Sequence, residues 1–231
     1  MVAMTSTCET VKEISRVPRS KMDAIATYDK LSRVYDLLAA GAERKYTEIG
    51  LREMSVRQGE SVLEIGFGAG RGLLDMARAV GQEGEVYGID ISKGMIVAAR
   101  ERIRDAHAES AVALTAGDGS RLPFQPESFD AVFMSFVLEL FDSPEIPIVL
   151  AESLRVLRHS GRLCVVALST KGRRGSVLRL YEWAHRHFPN YADCRPICVE
   201  DFLRIAGFEI ARSELFYMWG LPVEVILAKK A

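Results

Sequence analysis

The chain of 231 residues carries 30 Lys and Arg against 31 Asp and Glu, a formal net charge of -1. That balance leaves no global field to draw in a nucleic-acid backbone or an anionic bilayer, so recognition has to come from a pocket that takes a small molecule. The length suits one α/β domain with a sizeable core. No apolar run reaches the ~18–20 residues that cross a bilayer, and the start lacks the apolar centre of a secretion signal. The expectation is a soluble, cytoplasmic protein without an integral membrane segment or a nucleic-acid partner, its oligomeric state left open between monomer and homodimer.

Four cysteines, Cys8, Cys164, Cys194 and Cys198, are scattered. The last two have three residues between them instead of the two of a redox or zinc pair, which favours reduced thiols and argues against a metal site.

In chain order, residues 1–20 mix charge with Ser and Thr and read as a loose arm. Residues 21–231 read as one domain. Leu31, Val34, Tyr35 and Leu38 recur at helical spacing, an amphipathic face suited to lie against a sheet, and a second helix is expected over about 43–56. Together, 21–58 would place helices over an active site. From Ser61 the rhythm changes to short apolar strands alternating with helical stretches, the mark of βαβ units and a parallel sheet. Strands are expected at 62–65, 86–89, 112–115 (short, near an edge) and 129–134. A helix from Pro144 to about 157 leads through the turn Arg158–Gly161 to a fifth strand at 162–168. The tail reads as a helix over 199–206, a turn at Gly207 and strands at 208–215 and 223–228. The expected fold is thus α/β, a doubly wound, mostly parallel seven-stranded Rossmann-like sheet closed by an antiparallel C-terminal strand pair.

Glu64, Gly66, Gly68, Gly70 and Gly72 follow the first strand and open a helix, where backbone must approach a ligand closely and a Cβ would clash. A dinucleotide fingerprint needs a third glycine where Arg71 stands; an acid followed by G-x-G-x-G fits better and suits the amino-acid end of a cofactor. Asp90 ends the second strand, where a carboxylate can accept from both ribose hydroxyls; the competing duty is capping the helix near Ser92. Asp118, in Gly117-Asp118-Gly119, is placed to accept from an exocyclic amine, with an Asx-turn as the alternative.

These segments, with Phe129–Met134 and Leu154–Gly161, resemble the successive motifs of class I S-adenosylmethionine-dependent methyltransferases over about residues 45–170. The resemblance implies that Glu64, Gly66, Gly68 and Gly70 surround the methionine part of the cofactor. It likewise implies Asp90 with Ile91 at the ribose, Asp118 with Gly119 at the adenine, and Ser135 with Phe136 in the methyl-donor pocket. No metal is implied. Tyr28-Asp29, Tyr35-Asp36, Arg155–Gly161 and Ser169 resemble the ubiquinone and menaquinone biosynthesis C-methyltransferases, with departures at Leu37-Leu38, Arg158–Ser160 and Ala167. The implied acceptor is quinone-like, aromatic or amphiphilic.

Residues 171–198 stand where this family inserts its substrate-selecting segment. They concentrate Trp183, His185, His187, Phe188, Tyr191, Asp193 and Arg195, either an acceptor-side wall or core packing. His185 or His187 could deprotonate an acceptor. Tyr28 and Tyr35, seven apart, could close over the sulfonium, Tyr28 also touching the reacting group, or simply dock their helix. Two other functions stay open: a nicotinamide-dinucleotide oxidoreductase, against which Arg71 argues, and a catalytically silent S-adenosylmethionine-binding protein.

Overall fold

The computed structural model describes residues 40–172 and 195–230. Its elements, in chain order, are α1 (Ala40–Met54), β1 (Ser61–Ile65), α2 (Arg71–Val80), β2 (Glu85–Asp90), α3 (Lys93–Asp105), β3 (Val112–Ala116) and β4 (Phe129–Ser135). A 3-10 turn (Leu138–Leu140) precedes α4 (Ile146–Val156), β5 (Leu157–Leu168), α5 (Val199–Ile205), β6 (Phe208–Met218) and β7 (Leu221–Lys230). Seven strands form one sheet in the order β3-β2-β1-β4-β5-β7-β6. The pairings from β3 to β5 are parallel and those of β7 with β5 and β6 antiparallel, which is the expected doubly wound sheet with its closing strand pair.

The inner strands are apolar on both faces because helices cover both sides. Successive residues point to opposite faces. Val62, Phe133, Cys164 and Val166 join one core with Leu73, Met76, Val80, Ile96 and Ile103 of α2 and α3. Leu63, Val132, Met134, Leu163 and Val165 join the other, with Ile146, Val149 and Leu150 of α4 and Phe202 of α5. Helix α2 shows why such segments dock: Leu73, Met76, Ala77 and Val80 are its buried apolar positions, spaced as one helical stripe. Ser92 caps α3, its side chain accepting from the Met95 amide.

Several boundaries differ from expectation. Strand β5 begins at Leu157, which pairs with Phe129 before the ladder resumes at Ala131 and Arg162, so Arg158–Gly161 is an irregularity inside the strand, with Ser160 at φ 62°. Helix α4 starts at Ile146, after Pro144; Pro147 sits in its first turn, where a missing N–H is harmless. Strands β6 and β7 are longer than periodicity shows because they pair from Phe208–Lys230 to Met218–Leu221. Cys198 is disulfide-bonded, which corrects the expectation of reduced thiols at that position; a three-residue spacing does not report which sulfurs meet in space. Cys164 is a free, buried thiol, and burial raises its pKa beyond the reach of neutral solution. Among the described residues no helix is long and apolar enough to cross a membrane.

Candidate functional site

The carboxyl ends of β1 to β4 open onto one cavity of about 380 Å³, within the size range of small-ligand sites. Sheet order sets the layout. Asp118 and Gly119 follow β3, Asp90 and Ile91 close β2, Glu64 to Gly68 close β1, and Ser135 and Phe136 close β4; Glu43, Arg44, Thr47 and Glu48 of α1 complete the wall. From β3 to β4 is three strand spacings, roughly 14 Å.

The structure thus gathers the sequence-selected Glu64, Gly66, Gly68, Asp90, Ile91, Asp118, Gly119, Ser135 and Phe136 around one space. Gly70 is not on that wall. It caps α2 in the left-handed region, at φ 80°, and a Cβ there would lie 2.8 Å from Ala99 Cβ in α3. Its smallness serves the approach of two helices. Tyr28, Tyr35, Trp183, His185 and His187 lie outside the described residues.

Glu64 is the group with the least ordinary surroundings. It is 4% exposed, and its Oε2 has no hydrogen-bond partner among the described residues. Room for it exists because position 72 is glycine: a Cβ there would stand 2.6 Å from Oε1. Burial pushes the carboxyl pKa well above the ordinary range, and the nearby charges of Asp90 and Asp75 push it the same way. A carboxyl so placed is costly to ionise unless a positive charge comes to it.

Asp90 is committed on both oxygens. Oδ2 accepts the Gly68 amide and Oδ1 the Ser92 amide, each at 2.9 Å. One carboxylate therefore ties the glycine turn to the loop after β2. Asp118 does make the Asx-type turn, its Oδ1 accepting the amide and hydroxyl of Ser120 at 2.9 Å. Phe136, 7% exposed, holds φ at 53°, and its amide donates to Val166 O at 2.7 Å. A bulky residue in that region costs about 1–2 kcal/mol, a strain found most often at working sites.

Arg195 is placed otherwise than a titratable wall residue would be. It is 1% exposed, and its guanidinium donates to Phe141 O at 2.7 Å and to Ser143 Oγ at 3.1 Å. It is a buried strut behind Phe141, and Phe141 lines the cavity. Sequence reasoning missed Thr47, which is 2.8 Å from Ser135 across the cavity wall. Nothing local marks it, since its partner is 88 positions away.

Residues 62–161 match the family model described as a methyltransferase domain. The chain is 36% identical over 164 residues to a demethylmenaquinone methyltransferase of Beutenbergia cavernae, covering 67% of this chain and 63% of the relative, just under two thirds of that protein's length. It is 27% identical over 228 residues to a demethylmenaquinone methyltransferase of Symbiobacterium thermophilum, covering 86% and 89%. Among solved structures, that of the [4+2]-cyclase SpnF superposes with a TM-score of 0.75 at 19% identity, covering 94% of this chain and 98% of that one, a likeness of fold. Motif order, sheet topology and these relatives point the same way: residues 62–161 match a methyltransferase domain, and the chain is similar to the demethylmenaquinone methyltransferases.

Proposed function

We propose that the protein moves the methyl group of S-adenosylmethionine to a small acceptor that is quinone-like, aromatic or amphiphilic. The observation that carries the proposal is the Glu64 carboxyl, buried, raised in pKa and without a partner at Oε2 among the described residues, on the wall of a cavity whose other end is lined by Asp90 and Asp118. A cationic amino-acid group beside Glu64 would satisfy the orphaned oxygen and its charge together. The Asp90 carboxylate at the end of β2 suits ribose hydroxyls, and Asp118 with Gly119 suits the base. The fit therefore runs from β3 to β1 and leaves the β4 end, with Ser135 and Phe136, for the reacting centre.

S-adenosylmethionine supplies a methyl group already activated by the sulfonium charge. The work left to the chain is alignment and exclusion of water, which orientation alone can make worth several orders of magnitude in rate. Phe136 and Phe141 supply apolar wall, and Ser135 and Thr47 the polar contacts. His185, His187 and Tyr28 are proposed for proton removal or contact with the reacting group. The quinone-like acceptor is favoured by the demethylmenaquinone methyltransferase relatives.

The test is calorimetry followed by transfer. S-adenosylmethionine and S-adenosylhomocysteine are expected to bind at micromolar levels and a nicotinamide dinucleotide not to bind; the reverse result would make the protein an oxidoreductase. Labelled methyl is then expected to reach a demethylmenaquinol or another extractable aromatic acceptor. Cofactor binding without label in any acceptor pool would identify a silent binding protein.

A further inference from the structure

The cavity wall contains one hydrogen-bond chain whose direction can be worked out. Thr47 Oγ1 lies 3.2 Å from the carbonyl oxygen of Glu43, one turn earlier in α1, and 2.8 Å from Ser135 Oγ at the end of β4. A carbonyl oxygen only accepts, and a hydroxyl owns a single proton. Both contacts are hydrogen bonds only if Thr47 donates to Glu43 and Ser135 donates to Thr47. Ser135 Oγ then has no proton left to give and turns lone pairs to the cavity it lines. The side chain that fixes this polarity is Thr47, whose own hydroxyl is oriented by the helix backbone.

We propose that Thr47 is a positioning residue that makes Ser135 an acceptor-only contact, and that the β4 end of the cavity thereby selects methyl acceptors presenting an O–H or N–H, such as a phenol or a hydroquinone, over the corresponding ether or quinone. The inference rests on the methyl-transfer reading and deepens it by specifying the acceptor's protonation and redox form. A donor O–H meets the Ser135 lone pairs and is held with its ring against Phe136. An ether or quinone oxygen brings lone pairs against lone pairs and leaves both unpaired in a partly buried site, which is how sites built for a hydroxyl reject analogues without one. Replacing Thr47 by Val keeps the shape and removes the acceptor, so the Ser135 proton is released to point into the cavity and the polarity of the contact is lost.

The experiment titrates 1-naphthol and 1-methoxynaphthalene into protein saturated with S-adenosylhomocysteine, for the wild type, Thr47→Val and Thr47→Ser. The wild type is expected to bind 1-naphthol about tenfold or more tightly than the methyl ether, as one hydrogen bond lost against one unpaired group implies. The ratio should fall to about threefold or less in Thr47→Val, return in Thr47→Ser, and change without loss of S-adenosylhomocysteine affinity. Equal binding of the two probes by the wild type, or a ratio that Thr47→Val leaves unchanged, overturns the proposal while the methyl-transfer reading stands. Binding of S-adenosylhomocysteine with neither probe removes the β4 end as an acceptor site, and this proposal with it. Failure to bind S-adenosylhomocysteine overturns the functional reading itself.

Discussion

At the scale of single residues, Asp90 and Glu64 put their carboxyl groups to different uses. Asp90 is a structural acceptor as well as a candidate ribose contact, because two backbone amides already rest on it. Asp90→Ala should therefore lower stability by about 1–3 kcal/mol as well as weaken S-adenosylmethionine binding tenfold or more. Asp90→Asn, which keeps one acceptor oxygen, should recover much of the stability and little of the affinity. Urea unfolding without ligand and calorimetry with it separate the two effects. Glu64 behaves oppositely. Its folded pKa is raised above the unfolded value, so the folded state holds the proton longer and stability falls as pH rises from about 4.5 to the folded pKa, then levels off. Glu64→Gln should flatten that slope, raise the unliganded midpoint at neutral pH and weaken cofactor binding. A pH series of thermal unfolding with and without S-adenosylmethionine checks all three, and an unchanged slope would mean that Glu64 is solvated.

At the scale of elements, the turn between β1 and α2 is held from outside. Asp90 anchors Gly68, the Arg102 side chain of α3 reaches Ala69 O, and Gly70 lets α2 and α3 approach at Ala99. Gly70→Ala combines a left-handed backbone penalty of about 1 kcal/mol with overpacking of about 1–3 kcal/mol. Although Gly70 is off the cavity wall, the shift of α2 should weaken cofactor binding too, by disturbing Gly68 and Glu64. Urea midpoints and calorimetry on this variant measure it, and loss of affinity with full stability would return Gly70 to direct contact. Helix α1 is tied at its middle and at its C-terminal end: the Tyr46 hydroxyl donates to Tyr217 O at 2.7 Å, and Arg162 reaches Met54 O, Ser55 O and the Glu60 carboxylate. Those ties are what hold Thr47 at a fixed distance from Ser135.

At the scale of the whole molecule, stability comes from two apolar layers that share the sheet. Phe133, wholly buried in β4, packs in the layer that also contains Phe67 and Phe136 of the cavity wall. Phe133→Ala should cost about 3–5 kcal/mol, read as a lower urea midpoint at an unchanged slope. Cofactor at a hundredfold excess over its dissociation constant should restore about 2.7 kcal/mol of this by mass action, visible as a rise in the unfolding midpoint. No rise with any adenosyl ligand would show that the cavity binds something else.

Much of this architecture was legible in the chain because it is written at short range. Strands buried on both faces are continuous apolar runs, helices carry a 3.6 period, and Glu64 to Gly72 compress a turn into nine residues; each is a local pattern that tertiary context reinforces. The positions of Glu64, Asp90, Asp118 and Ser135 at successive strand ends follow from that alternation, since parallel strands bring their carboxyl ends to one edge. What only tertiary structure decided depends on groups far apart in sequence: that Asp90 holds the Gly68 amide, that Gly70 faces Ala99 and not the cavity, that Arg195 is buried against Phe141, and that Thr47 meets Ser135. Hydrogen-bond direction and burial are properties of such pairs, and no single residue carries them until the fold brings its partner within reach.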